Sequence, residues 1–191
     1  MVKEVTNVSS SETPHPSEQR LKWRRQVIDA IAQTMDLYGA NYSFGQLYGI
    51  MFFEDRPMTL DEMKTQMNMS KSNMSYAVRS LMESRMVDRL EDKRDRQDLY
   101  VAETNFFNAF QNFFTIKLQR EIDVMLGAIN EVMPELKELI LSLDTPDDER
   151  QACLQDLHKM RHAVQYYEWL QSFVDGLRSG QYFQGERPAE K

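Results

Sequence analysis

Residues 59–102 read TLDEMKTQMNMSKSNMSYAVRSLMESRMVDRLEDKRDRQDLYVA, and the fold turns on this stretch. Thr59-x-x-Glu62 is a capping box, in which each side chain satisfies a backbone N–H of the other residue at a helix start. It predicts a short helix whose apolar face, Met63 and Met67, is complete by Asn68. Ser70 is a second cap and predicts a helix to about Arg85, with Met74, Ala77, Val78, Leu81 and Met82 inward. At Met86 the pattern changes. Val87-Asp88-Arg89-Leu90 and Leu99-Tyr100-Val101-Ala102 alternate apolar and polar residues, as half-exposed strands do. The charged run Glu91 to Asp98 between them is read as the tip of a β-hairpin. A capped helix, a short turn, a second helix and a hairpin make a winged helix-turn-helix.

Helical patterns flank this module. Ser17 and Glu18 can start a helix, and Trp23, Val27, Ile31, Thr34 and Tyr38 recur at steps of three or four, predicting its buried face. A break is expected from Gly39 to Gly45, then a helix with Phe44, Leu47, Tyr48, Met51 and Phe52 inward, ending before Pro57. Beyond the hairpin, Phe106, Phe110, Phe113, Leu118, Ile122, Met125, Ile129, Met133, Leu136 and Ile140 form an apolar stripe, with Pro134 expected to kink or restart the helix. Asp144-Thr145-Pro146-Asp147 reads as a break with a cap. A last helix carries Leu157, Met160, Val164, Tyr167, Leu170, Val174 and Leu177 near heptad spacing. The predicted fold class is mainly α with a small β-hairpin. Its organisation is a disordered arm over residues 1–16, an N-terminal helix over 17–41, a winged helix-turn-helix over 42–104, a helical region over 105–180 and a flexible tail over 181–191.

Composition excludes several classes. No apolar run reaches the roughly 20 residues of a membrane span. The first 18 residues lack the apolar core of a secretory signal. One cysteine, Cys153, permits no internal disulfide and suits a reducing cytoplasm. There is no Gly-rich phosphate loop and no Cys/His constellation of a nucleophilic enzyme, so neither an enzyme nor a cofactor is expected. His158 and His162 lie four apart, with Cys153, Asp156 and Glu168 nearby in sequence. That raises a metal- or redox-responsive alternative, although no metal site is assigned.

The net charge of −7 argues against phosphate contact on average, but the distribution of bases matters more. Between Ser70 and Arg96 seven bases face five acids, a local excess of positive charge. If Met74, Val78 and Leu81 face the core, then Ser72, Tyr76, Arg79 and Glu83 point away from it. The second helix of this motif presents that outer face to the major groove. Lys71, Ser72, Asn73 and Ser75 would then lie nearest the bases, with Asn73 a reader of adenine. Tyr76 would meet a thymine methyl or a phosphate, and Arg79 a guanine edge or a phosphate. Lys93, Arg94 and Arg96 at the hairpin tip would enter a minor groove or hold phosphates. The competing reading is a winged-helix protein-interaction module, favoured if the tip is charge-paired and Arg79 buried.

Phe44 to Glu103 resembles the winged-helix domain of MarR-type repressors. Pro57-Met58-Thr59-Leu60-Asp61-Glu62-Met63, Met69 to Ser75, Val78-Arg79-Ser80-Leu81, Asp98-Leu99-Tyr100 and Phe113-Phe114-Thr115-Ile116-Lys117 are similar more specifically to the GbsR branch. The resemblance spans about residues 20–180. It implies a cytoplasmic repressor that binds a pseudo-palindromic double-stranded DNA operator as a homodimer built from its terminal helices. It implies control of genes for uptake or synthesis of compatible solutes of the glycine betaine, choline or ectoine type, in response to osmolarity or to a small quaternary or methylated amine. Aromatic faces attract such cations. Tyr38, Tyr42, Phe44, Phe106, Phe107 and Phe110 fall near the junction where MarR-like proteins place effectors, and they are the candidate ligand residues.

Overall fold

A computed structural model describes residues 15–183. The arm predicted over 1–16 lies outside the described residues except for 15 and 16, and of the tail over 181–191 only the short 3₁₀ turn Gln181–Phe183 is described. Helix α1 (Pro16–Leu37) starts one residue before the expected Ser17, with Pro16 in the first turn and the His15 side chain accepting from the Ser17 N–H. Proline fits there because its missing N–H would have had no partner in the helix. Then follow α2 (Tyr42–Glu54), α3 (Leu60–Met67), α4 (Lys71–Glu83), β1 (Val87–Arg94), β2 (Gln97–Ala102), α5 (Phe106–Leu141) and α6 (Asp147–Arg178). The two strands form one antiparallel hairpin, and Met58 adds an isolated antiparallel bridge to Tyr100. The class is mainly helical with a small hairpin, as expected. The chain divides into two compact units, one of residues up to Ser80 with Leu90–Ala102, the other of Leu81–Arg89 with the chain from Glu103.

In the first unit the buried face of α1 is not the predicted one. Ile28, Ala32 and Met35 are buried, while Trp23 is 56% and Val27 46% exposed. The partner helix decides this. Gly45 and Gly49 lie inside α2 and are buried, so the break ends by Asn41 instead of extending to Gly45. A Cβ on Gly45 would stand 2.6 Å from the Cα of Ala32, so α2 admits α1 only along the line of Ala32 and Ile28. Leu47, Tyr48 and Met51 of α2 are buried as predicted, whereas Phe44 and Phe52 are half-buried.

The capping box at Thr59 and Glu62 forms in full, and Met63 is buried beneath it. Helices α2 and α3 both pack on β2. In α4 the predicted periodicity holds: Met74, Ala77, Val78 and Leu81 are buried and Met82 is half-buried. The hairpin is longer than the alternation indicated. Pairing continues through the charged run, so only Asp95 and Arg96 remain as a turn. Both have positive φ, 50° and 65°, which is the backbone of a type I′ turn matched to strand twist.

In the second unit α5 continues through Pro134, so the expected restart does not occur. Proline removes a single donor, and the turns on either side keep their own bonds. Helix α6 packs on α5 through the predicted positions. Tyr167, Leu170, Val174 and Leu177 are buried, and Leu157, Met160 and Val164 are half-buried. The expected cap between the helices takes another form. Pro146 offers no side-chain cap, and Arg150 reaches back to the carbonyls of Ile140, Ser142 (3.0 Å) and Thr145 (3.0 Å), closing the end of α5. Among the described residues no helix is long and apolar enough to cross a membrane.

Candidate nucleic-acid interface

Ser70 caps α4 by accepting from the Asn73 N–H at 3.2 Å. With one face of α4 buried, its opposite face is set by helical geometry. Lys71, Ser72, Asn73, Tyr76, Arg79 and Glu83 are exposed, and Ser75 is half-buried. Tyr76 is 65% exposed, and its ring meets Phe44 edge-on at 5.6 Å. That contact anchors an otherwise exposed ring. Arg79 forms no salt bridge among the described residues. Both conditions set for the protein-interaction reading are therefore not met together, because Arg79 is exposed.

The wing separates the three bases predicted at its tip. Only Arg96 is in the turn, exposed. Lys93 lies in β1 and its ammonium is 3.1 Å from Asp98 across the hairpin. Arg94 also lies in β1, and its guanidinium donates to Glu62 Oε1 at 3.2 Å and to the Pro57 carbonyl at 3.3 Å. Arg56 donates to the same Glu62 oxygen at 3.0 Å, while Glu62 Oε2 accepts from the Thr59 N–H at 2.7 Å. One carboxylate thus closes the α3 cap and ties the wing to it. The Thr59 N–H and the two guanidinium groups hold the Glu62 carboxyl below the usual glutamate range. Gln97 adds a second tie, Nε2 to Asp61 Oδ2 at 3.1 Å. Sequence reasoning missed Arg56 and Gln97 because their partners are 6 and 36 residues away and no periodicity links them.

The six candidate ligand residues are divided between the units. In the first, Tyr42 donates to Asp29 at 3.4 Å, Phe44 sits against Tyr76, and Tyr38 is 47% exposed. In the second, Phe107 and Phe110 both meet Phe183, at 5.7 and 6.3 Å, and Phe106 is 54% exposed. His158 and His162 are exposed on α6, and no group of three metal-ligating side chains occurs among the described residues. Cys153 is buried. Burial first, then Glu149 and Asp156, pushes its thiol above the ordinary value and away from the reactive thiolate.

Residues 106–184, which contain α5 and α6, match the C-terminal helical hairpin of the GbsR family of transcriptional regulators. Over 160 residues the chain is 38% identical to the HTH-type transcriptional repressor GbsR of Bacillus subtilis (strain 168), a match covering 84% of this chain and 88% of that protein. The chain belongs to the GbsR family. A second relative, the HTH-type transcriptional repressor OpcR of the same organism, is 25% identical over 157 residues, 82% of this chain and 85% of that one. A crystal structure of a transcriptional regulator superposes with a TM-score of 0.51 at 18% identity, covering 84% of this chain and 98% of its own, and it shares the fold. The family resemblance read from the winged-helix segments is thus met, and GbsR-family proteins are regulators, a non-enzymatic class.

Proposed function

We propose that this GbsR-family chain is a cytoplasmic, DNA-binding transcriptional repressor that acts as a homodimer on a two-half-site operator. The observation that carries the reading is α4, whose one face is buried and whose other presents Ser72, Tyr76 and Arg79 to solvent. Lys71, Ser72, Asn73, Ser75, Tyr76 and Arg79 read base edges in the major groove, and Arg96 at the wing turn reaches a minor groove or phosphates. Arg94 and Lys93 serve the wing mainly by holding its shape, since each already has a carboxylate partner. The acidic remainder of the chain disfavours DNA elsewhere, which makes binding strongly dependent on salt.

Homodimerisation uses the helices over 17–41 and 105–180. Trp23 and Val27 on α1, and Val132, Leu139 and Leu141 on α5, are exposed apolar side chains that a partner would cover. The targets are genes of compatible-solute uptake or synthesis, a reading supported by family membership. The effector is a small methylated amine, a reading supported by family membership, and aromatic faces for it are supplied by Tyr38, Tyr42 and Phe44 within the first unit or by Phe106, Phe107 and Phe110 within the second.

A gel shift with DNA from upstream of the protein's own gene tests the core of this reading. Arg79→Ala should relax preference at particular base pairs, at about 1–3 kcal/mol for each lost bidentate contact. Arg96→Ala should weaken all sequences alike and lower the salt slope by about one. No shifted fragment at low salt would refute DNA binding, and a monomer by light scattering at micromolar concentration would refute the two-half-site arrangement.

A further inference from the structure

Within the second unit lies an open cavity of about 650 Å³, of the size small-molecule sites occupy. Its wall is unlike that of a cation box. Three guanidinium groups line it, from Arg85, Arg120 and Arg178, against one carboxylate, Asp123. In a chain of net charge −7 the wall thus carries three positive groups against one negative, with Asp175, the carboxylate partner of Arg178, beside it. Ile116 is the one wholly apolar side chain on the wall, so the cavity suits a hydrophilic guest.

The arginines are not loose. Gln111 and Asn112, adjacent on α5, donate their side-chain amides to the backbone carbonyls of Arg178 (2.8 Å) and Arg85 (3.2 Å). The Arg178 guanidinium is further fixed by Gln119 Oε1 at 2.9 Å and Asp175 at 3.0 Å. Arg85 is held at φ 52°, a left-handed backbone uncommon for a non-glycine residue. Arg85 and Arg120 form no salt bridge among the described residues. Finally, the hydroxyl of Thr115, also on the wall, is buried with no hydrogen-bond partner. A buried hydroxyl in that state calls for an acceptor.

We propose that this cavity binds a small oxyanion, a dicarboxylate or a phosphate compound. Guanidinium forks match carboxylate and phosphate oxygens two at a time, and the anion's charge offsets the excess on the wall. The site is chemically opposite to the aromatic one proposed for a methylated amine, and it does not rest on DNA binding. It also touches the chain just beyond α4, because Arg85 follows that helix by two residues.

Calorimetry on the full chain, with succinate, citrate and inorganic phosphate at ionic strength matched by sodium chloride, tests the proposal and separates carboxylate from phosphate recognition. At least one anion should saturate at one per chain. Arg120→Ala, at an exposed position, should weaken that anion by threefold or more, and Arg161→Ala, exposed on α6 and outside the cavity, should leave it unchanged. Thermal melts of each variant report whether the fold is retained. The proposal is overturned if none of the three anions saturates, or if Arg120→Ala binds within threefold of the unaltered chain. Either result leaves the DNA-binding reading untouched, since no DNA is in the experiment.

Discussion

Where α1 meets α2, the contact is made by small residues. Gly45 lies against Ala32, and Gly49 against Ile28, where an added Cβ would stand 3.1 Å from Ile28 Cγ2. Where α5 meets α6, large residues fill the space. Ile122, Tyr167, Leu170 and Val174 form a buried cluster, with Leu118, Leu126 and Phe173 packed on it. Beside that cluster Gln119 and Gln171 exchange amide hydrogen bonds of 2.8 and 3.0 Å. The first pair is set by close backbone approach and tolerates no added volume. The second is set by side-chain volume and tolerates no loss of it.

Substitutions of opposite sense should therefore injure the two pairs. Leu170→Ala should be the most damaging, at about 2–5 kcal/mol, because it removes a buried side chain and leaves a cavity among its neighbours. A denaturant midpoint within experimental error of the unaltered protein would show that the α5/α6 pair does not depend on that volume. Gly45→Ala should cost roughly 1–3 kcal/mol, although alanine is the better helix former, because the new methyl meets backbone. A stabilised Gly45→Ala protein would break the comparison outright.

A smaller effect belongs to Glu62, on the wing side of the first unit. Glu62→Gln should cost about 1 kcal/mol at neutral pH, since glutamine can keep the cap but not the attraction of Arg56 and Arg94. Its carboxyl titrates below the ordinary glutamate range in the folded chain. The stability it adds is therefore present above the unfolded value and is lost as pH falls through the folded one. Melting curves of the two proteins should accordingly converge as the pH falls through and below the ordinary glutamate range. A gap that widens on acidification would contradict the sign. Smallest of all, Gly127→Ala should stabilise by roughly 0.5 kcal/mol, because nothing lies within 4 Å of the added methyl in the middle of α5. Set beside Gly45→Ala, the same change then has opposite signs at two helical glycines, and equal signs would remove close approach as the explanation.

Helix α4 was legible because its evidence is local. Ser70 marks its start, and the apolar period from Met74 to Leu81 fixes which side is buried, leaving Ser72, Tyr76 and Arg79 outside. The wing was legible in kind but not in detail. Alternation located two strands, but the charged run from Glu91 to Arg94 hid the continuation of pairing, because a wing exposed on both faces has no apolar period to read. Local pattern therefore puts Arg94 at the tip, whereas its partner is a carboxylate 32 residues earlier in the chain.

By itself, then, the sequence determined the capping box at Thr59, the two faces of α4, the existence of a hairpin, the heptad face of α6 and the family. Each depends on neighbours within a few residues or on a repeat along one helix. Only the tertiary structure decided that α1 buries Ile28, Ala32 and Met35 instead of the stripe containing Trp23 and Val27. It also placed Gly45 inside a helix, turned Arg94 onto Glu62, and gathered Arg85, Arg120 and Arg178 around one cavity. An amphipathic period says that a helix has an inner face. Where two apolar stripes compete, the shape of the partner helix chooses between them, and side chains far apart in sequence meet only once that choice is made.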